Sequence, residues 1–207
     1  PGQPIESLSY SQFLNAAWLL GQRRNAKGLK AGDSVVIILP HSIDLYLAFA
    51  GAILVGLRPS IFAHPSPKLS IEDYKLTINE LLNAANPSLV LSYSNLLTEL
   101  DANPLFETID DLPQASMEAP VVTDCPGGAP AFYQFSSGTT GLKKCVPITF
   151  DELDWQVSQY SRAINLTGHD RIVSWLPIYH DMGLIACFML PLLTGTPLVV
   201  MSPFDWV

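Results

Sequence analysis

The stretch Gly32-Asp33-Ser34-Val35-Val36-Ile37-Ile38-Leu39-Pro40 decides the fold. Its five consecutive apolar residues, four of them β-branched, are too few for a helix. With no polar alternation, they read as a strand covered on both faces, as in a parallel sheet. Lys30-Ala31-Gly32-Asp33 supplies the turn before it and Pro40 ends it. Ser42 then caps a helix running to about Gly56, and a short strand follows at Ser60-Ile61-Phe62. Strand, helix, strand implies a crossover connection, right-handed by the general rule, and an α/β sheet.

The same logic extends outward. On the N-terminal side, Ser9-Tyr10-Ser11-Gln12 reads as a capping box. Tyr10, Phe13, Leu14, Ala17, Trp18 and Gly21 then share one helical face, ending near Gly28. On the C-terminal side, Ser70 opens a helix with Ile71, Tyr74, Ile78, Leu81, Leu82 and Ala85 on one face. A strand at 88–92, a short helix at 95–100 and a strand at 106–112 follow. Residues 113–130 hold four of the 17 prolines together with Gly127-Gly128, and mark a boundary between portions 1–120 and 121–207. Beyond it come a strand at 131–135 and another at 146–148. Thr149-Phe150-Asp151-Glu152 is a second capping box, whose helix places Leu153, Val157, Tyr160 and Ile164 on one face. A strand at 171–176, a loop at 177–183, a buried helix at 184–193 and a buried strand at 197–201 complete the chain. The expected class is α/β, with layered parallel or mixed sheets flanked by helices.

Composition narrows the function. The chain has 207 residues, 48% hydrophobic and only 14% charged, against about 25% charged in a typical soluble domain. Disorder is excluded and a core of useful size is expected. Residues 182–204 carry no charge, but Pro191 and the turn Thr194-Gly195-Thr196-Pro197 break the run, so no transmembrane segment is read. No signal peptide is visible at the N-terminus. The surplus of apolar residues implies a surface normally covered, or self-association through an exposed apolar face. Net charge is −8, and residues 76–142 hold eight acids and no Lys or Arg. With no basic face, nucleic acid is not an expected partner. Cys125, Cys145 and Cys187 show no paired spacing, which suggests free thiols in a reducing, cytoplasmic setting.

The densest chemistry lies in Ser136-Ser137-Gly138-Thr139-Thr140-Gly141-Leu142-Lys143-Lys144, directly after the apolar strand at 131–135. Two glycines let backbone N–H groups turn toward an anion. Four hydroxyls and two lysines add donors and charge suited to a polyphosphate. The pattern is neither a Walker A motif nor a nucleophile elbow. A flexible surface hairpin would also accommodate such residues; phosphate binding is the sharper reading.

This loop resembles the phosphate-loop signature of the adenylate-forming superfamily, (S/T)-(S/G)-G-(S/T)-T-G-x-P-K-G. Lys143 stands where proline is usual and Cys145 where glycine is usual; Lys144 aligns with the family lysine. Leu8-Ser9-Tyr10-Ser11-Gln12-Phe13, the Gly32 to Pro40 strand, and Phe49-Ala50-Gly51-Ala52-Ile53-Leu54-Val55-Gly56, with its small-residue face for close packing, are similar to family elements in the same order. Ser174-Trp175-Leu176-Pro177-Ile178-Tyr179-His180-Asp181-Met182-Gly183-Leu184-Ile185 resembles the fatty acyl-AMP ligase branch, and 191–193 and 199–203 continue the match.

The resemblance implies the N-terminal part of the large domain of a carboxylic-acid-activating enzyme. In such an enzyme a carboxylate oxygen attacks the α-phosphorus of ATP and pyrophosphate leaves; the thiol of a carrier protein or of CoA then takes the acyl group. The implied cofactors are ATP and Mg²⁺, and the implied substrate is a fatty or other carboxylic acid. Ser136, Ser137, Gly138, Thr139, Thr140, Gly141, Lys143 and Lys144 would bind the phosphates. His180 and Lys144 would serve catalysis. Trp175, Tyr179, His180 and Met182 would line the acyl pocket, bordered by the helix after them. A His beside an Asp is also a common structural pair, and neither His169-Asp170 nor His180-Asp181 has metal-ligand spacing. Family members are much longer, so the chain is expected to be an N-terminal piece, inactive by itself. An acyl-CoA synthetase, a peptide-synthetase-type adenylation domain and a non-enzymatic interaction module are the alternatives.

Overall fold

The computed structural model describes residues 7–25, 28–65, 70–100, 106–109, 126–136 and 144–202. A four-stranded parallel sheet in the order β2-β1-β3-β4 is built from β1 (Ser34–Ile37), β2 (Arg58–Ile61), β3 (Leu89–Ser92) and β4 (Phe106–Thr108). β1 is central, paired in parallel with both β2 and β3. All five residues from Val35 to Leu39 are at most 2% exposed, as the uninterrupted apolar run requires. Ile38 stays tied to the sheet through its N–H, which donates to the Leu91 carbonyl at 2.9 Å. The expected strand at 106–112 is observed only as β4; positions 110–112 lie outside the described residues.

Side chains of a strand alternate between faces, and β1 shows it. Val35 and Ile37 join the core under α1 (Tyr10–Asn25) and α2 (Ile43–Leu54). Val36 and Ile38 join the core under α3 (Ile71–Ala85), which contributes Tyr74, Ile78 and Leu81, and α4 (Ser94–Glu99), which contributes Leu96. α1 begins with the expected box: Ser9 Oγ accepts from the Gln12 N–H, and Gln12 Oε1 accepts from the Ser9 N–H. Ser70 caps α3 by accepting from the Asp73 N–H. Ser42 stands at the N-cap of α2 but does not cap it; its hydroxyl donates to the Pro40 carbonyl.

α1 and α2 cross with main chain against main chain. A Cβ on Gly21 would lie 2.3 Å from the Gly51 carbonyl oxygen, and one on Gly51 would lie 2.1 Å from the Ala17 carbonyl oxygen. No side chain fits between the helices there.

β5 (Pro130–Ser136) and β6 (Lys144–Thr149) form an antiparallel hairpin lying beside β2. Arg58 donates to the Tyr133 hydroxyl at 3.4 Å, and Phe62 meets Phe135 edge to face. α5 (Phe150–Ala163) starts with the second capping box complete, and hydrogen bonds from Thr149 hold the Glu152 carboxyl below its usual range. Leu153 and Val157 of α5 are buried and Tyr160 is half-buried. Ile164 falls at the C-cap, where the helix ends, and is exposed, contrary to the helical-face reading.

β7 (Ile172–Ser174) pairs in parallel with β8 (Leu198–Val200) as a separate two-stranded sheet. The connection differs from the expected helix at 184–193. It starts two residues earlier as a π-helix, Met182–Met189, and continues as α6 (Leu190–Thr194). The Leu190 N–H reaches back five residues to the Ile185 carbonyl. Pro191 falls in the first turn of α6, a position that tolerates its missing N–H. Phe188 of the π-helix packs on Tyr46, Phe13 and Phe49, and Phe49 also meets Phe132. One apolar core therefore draws on residues from both sides of the 113–130 segment.

β8 was expected to be buried, yet Val199, Val200 and Met201 are exposed. Val173 is in register with Val199, so Val173, Trp175, Val199 and Met201 share one face of the small sheet. All four are more than 40% exposed. A continuous apolar run specifies that a strand is covered, but not by what. The 207-residue chain in solution is expected to bind an apolar-surface dye at this face and to associate, as measured by light scattering. Val173→Ser with Val199→Ser should weaken both signals, and an unchanged dye signal would refute the assignment to this face. Among the described residues, no helix is long and apolar enough to cross a membrane.

Candidate functional site

Two segments carry the residues expected to do chemistry, and the fold holds each on a firm support. The first is the hairpin tip. Phe132 of β5 is fully buried against Phe49, anchoring the strand that leads to the tip. Toward the tip, Phe135 pairs with Cys145 and Ser136 with Lys144. Residues 137–143 join the two strands and lie outside the described residues, as do the candidates Ser137, Gly138, Thr139, Thr140, Gly141 and Lys143. Ser136 is placed by its backbone as the last residue of β5. Lys144 is exposed at the first position of β6, directly across from it. The strands on either side of the loop therefore pair antiparallel with each other, unlike the strand and helix that flank a phosphate-binding turn in a parallel sheet. Cys145 is an exposed free thiol whose partial desolvation pushes its pKa up from its ordinary value, which disfavours a nucleophilic role.

The second segment is the turn between β7 and the π-helix. Ser174 Oγ accepts from the Leu176 N–H at 3.0 Å where β7 ends. The His180 N–H donates to the Pro177 carbonyl at 3.2 Å, and the Leu184 N–H donates to the His180 carbonyl at 2.9 Å. His180 is exposed, its ring tilted against Tyr179 with centroids 4.7 Å apart. The neighbouring Asp181 is engaged elsewhere, where its Oδ1 accepts from the Met182 N–H at the start of the π-helix. Tyr179 is half-buried, whereas Trp175 and Met182 are 50% and 60% exposed. The expected wall residues therefore gather near His180 on an open surface rather than around a closed pocket.

The two segments converge through the elements that leave them. A groove of about 550 Å³ is lined by Ile148 of β6, by Asp151, Glu152, Leu153, Trp155 and Gln156 of α5, and by Ile185 of the π-helix. Its floor is apolar, and the first turn of α5 supplies the carboxylates of its rim. The sequence singles out the helix that carries Ile185, but not the α5 side of this groove. Trp155 was the available signal: an indole placed on the polar face of an amphipathic helix, 63% exposed. The other histidines near the prolines have structural roles. The His41 ring meets Tyr46 edge to face and shares a 3.2 Å hydrogen bond with its hydroxyl. His64 Nδ1 bonds to the Pro65 carbonyl, and burial lowers its pKa.

The family model described as AMP-binding enzyme matches residues 3–206. A putative acyl-CoA synthetase of Caulobacter vibrioides is 31% identical, aligned over all of this chain and 38% of its own length. A long-chain-fatty-acid–AMP ligase, FadD26 of Mycobacterium bovis, is 29% identical over 98% of this chain and 36% of its own. Among solved structures, a fatty acid AMP ligase from Legionella pneumophila superposes with a TM-score of 0.85 at 24% identity, covering all of this chain and 36% of that one. The chain thus spans under two-fifths of the length of these relatives.

Proposed function

Because the chain belongs to the AMP-binding enzyme family, we propose that it forms part of an ATP-dependent ligase that adenylates a fatty or other long carboxylic acid. The observation that carries this reading is the apolar groove between α5 and the π-helix, bounded by the strand that leaves the phosphate loop. An acyl chain in the groove would bring its carboxylate toward the hairpin tip and the His180 turn. There the carboxylate oxygen attacks the α-phosphorus of ATP, the bond to the bridging oxygen breaks, and pyrophosphate leaves. A thiol sulfur, from a carrier protein or CoA, then attacks the acyl carbon and AMP leaves. One relative is named for an acyl-CoA and another for a fatty acid–AMP product, and neither name gives a carrier protein, so the names support the adenylation step alone.

The chain's own residues would act by binding and orientation. Lys144, exposed at the root of the loop, supplies positive charge to the β- and γ-phosphates, and the loop hydroxyls and amides supply donors. His180 would meet the carboxylate from the turn before the π-helix, with the Tyr179 ring against its own. Mg²⁺, when bound, neutralises phosphate charge. Among the described residues, there is no group of three or more His, Cys, Asp or Glu that could hold a metal. The fitting experiment is ATP–pyrophosphate exchange by the natural full-length protein with carboxylic acids of graded chain length. Exchange that depends on the acid and peaks at long chains is the expected result. Exchange with no acid dependence overturns the proposed substrate, and no exchange with any acid overturns the proposal in favour of a non-enzymatic module.

A further inference from the structure

Gly183, the second residue of the π-helix, has no space for a side chain. A Cβ there would lie 2.3 Å from the Pro177 carbonyl oxygen, 2.8 Å from its carbon and 3.2 Å from the Leu176 carbonyl oxygen. All three are main-chain atoms, so no rotamer change relieves the contact. The same Pro177 oxygen accepts the His180 N–H, and the His180 carbonyl accepts the Leu184 N–H, one residue beyond Gly183. His180 is therefore clamped at both ends by a turn that closes only because position 183 is bare. Its imidazole is otherwise exposed, with the Tyr179 ring against it.

We propose that Gly183 is a positioning residue for the carboxylic acid, acting through the Pro177 to His180 turn and not through the nucleotide; this rests on the ligase reading above. A methyl group at 183 pushes the Pro177 carbonyl away, loosens the His180 N–H bond and shifts His180 and Met182 together. The hairpin that carries the phosphate loop is held by other contacts, Phe132 on Phe49 and Arg58 on Tyr133, and should not follow. The effect is therefore selective for one substrate.

The test uses Gly183→Ala in the natural full-length protein, with dodecanoic acid and ATP in the exchange assay. The KM for dodecanoate should rise ten- to a hundredfold, on the order expected for a sub-ångström to 1 Å misplacement, while the KM for ATP stays within about twofold. In a His180→Ala background, the same substitution should add little to the dodecanoate KM. Equal rises in both KM values, no rise in either, or full additivity with His180→Ala overturns the proposal. Should Gly183→Ala fail to fold, Pro177→Ala loosens the same turn from the other side. It should show the same selective rise, and its absence is equally decisive. Lack of acid-dependent exchange by the unsubstituted protein would instead overturn the ligase reading, and this proposal with it.

Discussion

Gly51→Ala is expected to lower stability by about 3 kcal/mol or more, the upper part of the range for overpacking. For a domain of this size the thermal midpoint should fall by roughly 6–12 °C. A new Cβ would meet the Ala17 carbonyl oxygen at 2.1 Å, its carbon at 3.0 Å and the Gly21 nitrogen at 3.2 Å. These atoms belong to the facing helix, so α1 and α2 must separate, loosening Ala17, Trp18 and Phe49 at the centre of the larger core. Gly21→Ala meets the Gly51 carbonyl and the Val55 side chain, and should cost a similar amount. Once the helices have parted, the second methyl finds room, so the double variant should cost less than the sum. Gly128→Ala is the control, because nothing lies within 4 Å of its added Cβ. A Gly51→Ala midpoint matching that of Gly128→Ala would refute the close crossing.

The second large effect concerns activity and should leave stability alone. In the natural full-length protein, Lys144→Ala and Thr140→Val are each expected to reduce acid-dependent exchange by about 10²–10³-fold, the usual cost of removing one preorganised donor to developing negative charge. Lys144 is exposed at the start of β6, so truncating it removes no buried contact and the melting temperature should hold. A fall in rate at constant melting temperature separates loss of phosphate contacts from loss of fold. Lys143→Ala is the internal comparison, since the family pattern has a single lysine there. Retention of more than a third of the exchange rate by Lys144→Ala would remove that residue from the phosphate site.

The sequence spoke most clearly where local chemistry and tertiary need coincide. Both capping boxes, at Ser9 and at Thr149, could be read because a hydroxyl and a carboxyl or amide three residues apart satisfy backbone donors locally. The Val35 to Leu39 run gave a central parallel strand because only burial on both faces accommodates unbroken apolar character. Gly51 was legible as part of a small-residue face, though its facing partner Gly21 was not identified as such. The π-helix was hidden for a related reason: residues 184–193 are apolar on every side, so hydrophobic periodicity carries no phase from which to tell five-residue from four-residue hydrogen bonding. Exposure of β8 could not be read, because strand patterns report the need for a cover and never its source. The α5 side of the groove was missed because amphipathic reading assigns one face to the core and discounts the other, and Trp155 lies on the discounted one.

The glycine crossing also bears on how the chain is made. Ala17 and Gly51 are 34 positions apart, whereas Tyr10 donates to the Thr196 carbonyl across 186. Closing the short loop is entropically cheaper, so α1, β1 and α2 can associate early, while the long-range contacts wait. During synthesis from the N-terminus, that unit leaves the ribosome well before Phe132 and Phe188 exist. Phe49 then waits with one side of its ring open to solvent, and the nascent chain is most in need of a chaperone over the interval in which residues 55 to 188 are being added.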